Sequence, residues 1–149
     1  MEISKIIHLE RPNTLTSFLT EEERRTIVSL KITGLVGQKD FDDVLDDMCN
    51  CEGEYDDYDN FIPNYDESAA IRHLDMGEAV FVDGETLPYF GWHTQLETFI
   101  LPQGIKYTNE TGMAESDKLH TLVFPDGMKA IKDFALTSAM RHPVRTCAC

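Results

Sequence analysis

Apolar and polar positions along this chain follow two periods, and near its end one pattern is written out twice. Leu96–Lys118 and Leu119–Arg141 are consecutive 23-residue segments. Each opens Leu-x-Thr, then three apolar residues, Pro-x-Gly, an apolar residue and Lys. A period of about 20–29 residues headed by Leu-x-x-apolar-x-apolar marks a stacked architecture, because one such unit cannot bury its apolar face alone. The period-two alternation in each head predicts a short strand with one side inward. Pro102 and Pro125 should stop that strand, since proline has no N–H for a ladder, and Gly104 and Gly127 follow where the chain must turn. The pattern extends back to "IRHLDM" at Ile71 and forward to "VRTCAC" from Val144. The expectation is a parallel ladder in which Leu96 and Leu119, Phe99 and Leu122, and Leu101 and Phe124 are core neighbours. The second halves, "IKYTNETGMAES" and "MKAIKDFALTSA", predict a turn and a short helical or irregular return.

Ahead of the repeats, "SKIIHLE" (Ser4–Glu10) predicts a strand that Pro12 breaks. Asn13 or Thr14 is placed to cap a turn holding Leu15, Phe18 and Leu19. Thr20 with Glu23 reads as a capping box at a helix start, with its carboxylates at the positive end of the dipole. "IVSLKITG" predicts the next strand, inward at Ile27, Leu30 and Ile32 and ended by Gly34. In "DFDDVLDDM", Phe41, Val44, Leu45 and Met48 share one face of a short amphipathic helix, with the aspartates on the solvated side. The stretch Cys49–Ser68 has no period, many carboxylates and three tyrosines, and predicts a long acidic loop. These boundaries describe one domain over 1–149: a cap with the first strand (1–48), an acidic insert (49–68) and repeats (71–149).

A hydrophobic content of 42% in 149 residues suffices for a core, but the net charge of −14 changes the picture. Repulsion on that scale argues against nucleic acid or an anionic membrane surface as partner. No stretch approaches a membrane-spanning length of apolar residues, so membrane insertion is not expected. The apolar run in "MEISKIIHLE" is too short for a signal peptide, which leaves a cytoplasmic location or prior removal of a leader.

Taken together, these residues resemble the BspA-like leucine-rich repeat proteins, whose units run Leu-x-x-Ile-x-Leu-Pro-x-x-Ile-x-x-Ile. "NTLTSFLTEEERRTIVSLKITG" is similar to the N-terminal cap of bacterial members, in which "GTL-x-x-LL-x-x-EE" precedes a first strand "I-x-SLKI-x-G". The resemblance implies an α/β leucine-rich repeat solenoid with a short parallel sheet and an N-terminal helical cap. It also implies a secreted or cell-surface bacterial module that binds protein or glycan without catalysis. The half-repeat "IGDNAFYGC" of the family is degraded here, and the acidic insert has no counterpart in the family pattern.

On a stacked sheet, the outward positions of the heads are the candidate ligand-binding residues: Arg72 and His73, Glu97 and Thr98, His120 and Thr121. Stacked, they would form a mixed, mildly basic stripe on an acidic chain. Tyr55, Tyr58 and Tyr65, set among carboxylates, mark the insert as a second contact surface, since tyrosine is enriched at interfaces. Catalytic signatures with a Gly-rich loop, a nucleophile elbow or paired metal-binding histidines are missing, and no cofactor is expected. The insert's carboxylates lack calcium-loop spacing. The pairs Cys49/Cys51 and Cys147/Cys149 would stand roughly 14 Å apart on the expected ladder, too far for one zinc ion. A metal-dependent or enzymatic use of the insert, or a degenerate repeat fragment without a ligand, are the alternative readings.

Overall fold

Strand β1 (Ser4–Leu9) sets the rule for the architecture: Ile7 and Leu9 are buried while Ile6 and His8 face outward. The computed structural model describes residues 3–90, 94–108 and 118–131. It is a mixed α/β structure with few helices. Beside β1 lies β2 (Ser29–Val36), then β5 (His73–Phe81), β7 (Thr98–Ile100) and β9 (Thr121–Val123), all parallel, in the order β1-β2-β5-β7-β9. Consecutive parallel strands require a crossover on one side of the sheet, and that side carries the core.

Registration across the last three strands follows the sequence pattern. His73 pairs with Thr98 and Thr98 with Thr121, while Leu74, Phe99 and Leu122 align one position later. Leu96, Leu119, Phe99, Leu122, Leu101 and Phe124 are all buried, as the spacing predicts. β7 and β9 each end before the predicted proline, and Gly104 and Gly127 turn with φ of 92° and 83°. The described parts of the return segments hold more order than expected. β6 (Thr86–Leu87), β8 (Tyr107–Thr108) and β10 (Ala130–Ile131) form a second parallel sheet in the order β10-β8-β6. Two-residue strands are too short to show an alternation, which is why the sequence pattern does not reveal them.

The N-terminal region follows its helix signals. A 3-10 turn at Leu15–Phe18 leads into α1 (Glu21–Thr26). There the Thr20 hydroxyl accepts from the Glu23 N–H, and the Glu23 carboxylate accepts from the Thr20 N–H. Three expectations need correcting. Thr14 makes no side-chain cap bond. Instead Asp40, 1% exposed, reaches across from the next helical segment and accepts from the backbone N–H groups of Asn13, Leu15 and Gly37 at 2.9, 3.0 and 2.9 Å. Asp40 is therefore not on a solvated face, although Asp42, Asp43 and Asp47 are exposed. Gly34 does not end β2, which continues to Val36. Its φ is 92°, and a Cβ there would stand 2.1 Å from the Leu9 carbonyl oxygen, so glycine is required for β1 to approach.

The amphipathic segment forms as a wide π turn over Asp40–Leu45 followed by α2 (Asp46–Cys49). Phe41, Val44, Leu45 and Met48 are fully buried, and Phe41 meets Phe81 and Phe90 edge-on at 5.7 and 5.0 Å. Phe90 meets Phe99 at 5.4 Å, so this helical face is joined to the sheet core by aromatic contacts.

The acidic insert is not a structureless loop. β3 (Gly53–Tyr55) and β4 (Phe61–Pro63) pair antiparallel as a hairpin. Asp56 closes it, accepting from the Tyr58 and Asn60 N–H groups at 2.8 and 2.9 Å. An aspartate turn of this kind organises a polar segment without any apolar periodicity, so hydrophobic patterning alone misses it.

Candidate functional site

The outward face of the five-stranded sheet carries the predicted site residues, and the register decides which of them meet. His73, Thr98 and Thr121 lie side by side on β5, β7 and β9. The His73 Nδ1 and Thr98 Oγ1 are 2.9 Å apart. The same pairing recurs between β1 and β2, where His8 Nδ1 lies 2.9 Å from Thr33 Oγ1, and a local version joins His120 Nδ1, just ahead of β9, to Thr121 Oγ1, also at 2.9 Å. At His73–Thr98 and His8–Thr33, imidazole and hydroxyl thus cover neighbouring rungs, each restraining the other's rotamer.

Arg72, Glu97 and His120 form a second row just ahead of the strands. Backbone bonds fix its spacing, with the Glu97 N–H donating to the Arg72 carbonyl at 2.7 Å and the His120 N–H to the Glu97 carbonyl at 3.0 Å. The Glu97 carboxylate stands 4.0 Å from Arg72 Nε and 3.7 Å from His120 Nε2. Arg72 also donates through Nη1 to the carbonyls of Ala69 and Ile71. The row alternates Arg, Glu, His in the order expected from the sequence, and the Glu97 carboxylate lies between the two basic side chains. Further along the face Lys31 pairs with Glu78, and that contact raises the Lys31 pKa above its ordinary value.

A threonine beside a histidine has a base at hand, but acyl transfer also needs N–H donors aimed at a developing oxyanion. The N–H groups of Thr98 and Thr121 are already committed to the carbonyls of Arg72 and Glu97. The gap between His120 and Glu97 also exceeds a hydrogen bond.

The insert tyrosines occupy different settings. Tyr58, at 85% exposure, projects from the hairpin turn, and Tyr55 packs edge-on against Phe61 at 5.4 Å. The Tyr65 ring lies under the Lys118 ammonium, 4.8 Å away, which ties the insert to the segment leading into β9. Gln95, missed by sequence reasoning, closes the neck of the insert. It is fully buried, and its Nε2 donates to the carbonyls of Met48 at 2.7 Å and Ala69 at 3.0 Å. The only sequence hint is a polar residue immediately before an apolar repeat head.

Cys49 and Cys51 are buried free thiols. Burial, with a smaller contribution from the Asp46 charge, pushes the Cys49 thiol far above its usual range, so it is inert as a nucleophile. Cys147 and Cys149 lie outside the described residues. Among the described residues no group of three or more His, Cys, Asp or Glu side chains converges to hold a metal, and no helix is long and apolar enough to cross a membrane. No protein-family model matches the chain, and no curated protein matches it at a significant level.

Proposed function

We propose that this chain is a short leucine-rich-repeat solenoid of the BspA-like kind, serving as a non-catalytic module of a secreted or cell-surface bacterial protein. It binds a protein or glycan partner on the outward face of its parallel sheet. The observation that carries this reading is the registered outward row of His73, Thr98 and Thr121, flanked by the alternating charges of Arg72, Glu97 and His120. Parallel strands repeat such groups about every 4.8 Å, so the face offers an ordered lattice of hydroxyl, imidazole and charged groups at little entropic cost. Because the charges alternate, the partner should carry both signs, or hydroxyls, and not a uniform polyanion.

The test is a variant with Arg72, His73 and His120 all replaced by serine, compared with wild type for attachment to a panel of extracellular-matrix proteins and host glycans. Binding by wild type that the triple variant loses supports the outward face as the site. Equal binding by both proteins removes it.

A further inference from the structure

A second surface stands apart from the sheet, on one face of the insert hairpin. In an antiparallel pair, residues opposite one another share a face, so Glu54 and Ile62, which pair directly, lie on the same side. Alternation adds Glu52 and Asn64 to that side, and Glu67 completes it. These residues, with Gly53 and Pro63, line a cleft of about 390 Å³. Ile62 is 55% exposed within it, a large apolar side chain left uncovered in a concave setting. The rim is formed by three carboxylates, and among the described residues none of Glu52, Glu54 and Glu67 makes an ion pair, whereas six other pairs are present. Two cations beside the insert are engaged elsewhere: Arg25 donates to the Glu67 backbone carbonyl, and Lys118 sits on the Tyr65 ring.

The cleft is also held in shape. Glu52 donates its N–H to the Ser68 hydroxyl at 2.9 Å, and its carbonyl accepts from the Asn64 N–H at 2.7 Å. At the other end the Asp56 turn is fixed by its two backbone bonds, which hold its carboxyl below the usual range. Like charges crowded around an exposed apolar floor are unfavourable in the free protein, and a cation with an aliphatic stem relieves both defects at once. Lysine and arginine have that chemistry, since the methylene stem packs on apolar surface while the head reaches a carboxylate.

We propose that this cleft docks a lysine- or arginine-bearing segment of a partner protein, with the basic side chain's stem on Ile62 and Pro63 and its charge among Glu52, Glu54 and Glu67. The proposal is independent of the ligand on the sheet face. The probe is a short fluorescent peptide of alternating lysine and valine, titrated into the full chain by anisotropy at low salt. The cleft variant replaces Glu52, Glu54 and Glu67 with glutamine. A charge-matched control makes the same change at exposed Glu10 and Glu22, with Asp126→Asn. The cleft variant should weaken binding about tenfold, the combined value of three exposed ion pairs, while the control shifts it by less than about twofold. Ile62→Ser should weaken binding about threefold, and that loss should persist at high salt because it is apolar. Equal weakening in cleft variant and control would show attraction by net charge alone and overturn the proposal. No measurable binding by wild type, or an unaffected Ile62→Ser, would overturn it as well.

Discussion

Replacing Asp40 with alanine tests the least expected feature of the fold. Its carboxylate accepts three backbone N–H groups from two separate segments, at Asn13, Leu15 and Gly37. The Leu15 and Gly37 bonds are buried and the Asn13 bond partly so. A buried donor left without an acceptor costs about 1–3 kcal/mol. Two buried donors and one half-exposed donor therefore give a gross loss of about 3–6 kcal/mol. Removing the charge also recovers its own desolvation, which lowers the expected net loss to about 3–5 kcal/mol. Asp40→Asn should lose less, about 2–3 kcal/mol, because one amide oxygen can still serve the two donors that share Oδ2 while its NH2 faces Leu15. Urea unfolding measures both losses, with the slope unchanged if the native state keeps its compactness. Amide exchange should accelerate most at Leu15 and Gly37. A loss below about 1 kcal/mol for the alanine variant, with Leu15 still protected, would refute the role given to this carboxylate.

Three further outcomes are expected. Leu122→Ala, in the row that aligns Leu74, Phe99 and Leu122, should cost about 2–5 kcal/mol in urea unfolding, since it opens a cavity beneath the sheet. Gly34→Ala should cost at least about 2 kcal/mol, because it combines a left-handed backbone with a Cβ in the Leu9 carbonyl. Acid should destabilise through Glu23 and Asp56, whose carboxyls are held below their usual range, Glu23 first by the Lys5 ammonium and Asp56 first by the Asn60 N–H. A depressed folded pKa gives stability that is present above the unfolded value, about 4, and lost as pH falls through the folded value. The urea midpoint should thus change little from these groups above about pH 5 and fall below about pH 4, more shallowly in a Glu23→Gln, Asp56→Asn variant.

What the sequence determined by itself is the part governed by periodicity and local capping. The alternation in the repeat heads placed Phe99 and Leu122 inward, and the Thr20–Glu23 box started α1 where both partners are three residues apart. Such signals are local, so each can be read within a single turn or strand. The parallel pairing of β5, β7 and β9 followed from the repeated heads, because similar faces bury themselves best by stacking. Tertiary structure alone decided the rest. Asp40 looks like one more aspartate on an acidic helix until the chain brings Asn13 and Leu15 to it from outside that helix. Gln95 gains its role only when Met48 and Ala69, the two ends of the insert, arrive beside it. The outward row was legible residue by residue, with Glu97 between Arg72 and His120, but the contacts within it were not. Register sets the distances, with the Glu97 carboxylate 4.0 Å from Arg72 Nε and 3.7 Å from His120 Nε2. Long-range pairing of polar groups leaves no period in the chain, since the energy of each contact depends on a partner dozens of residues away.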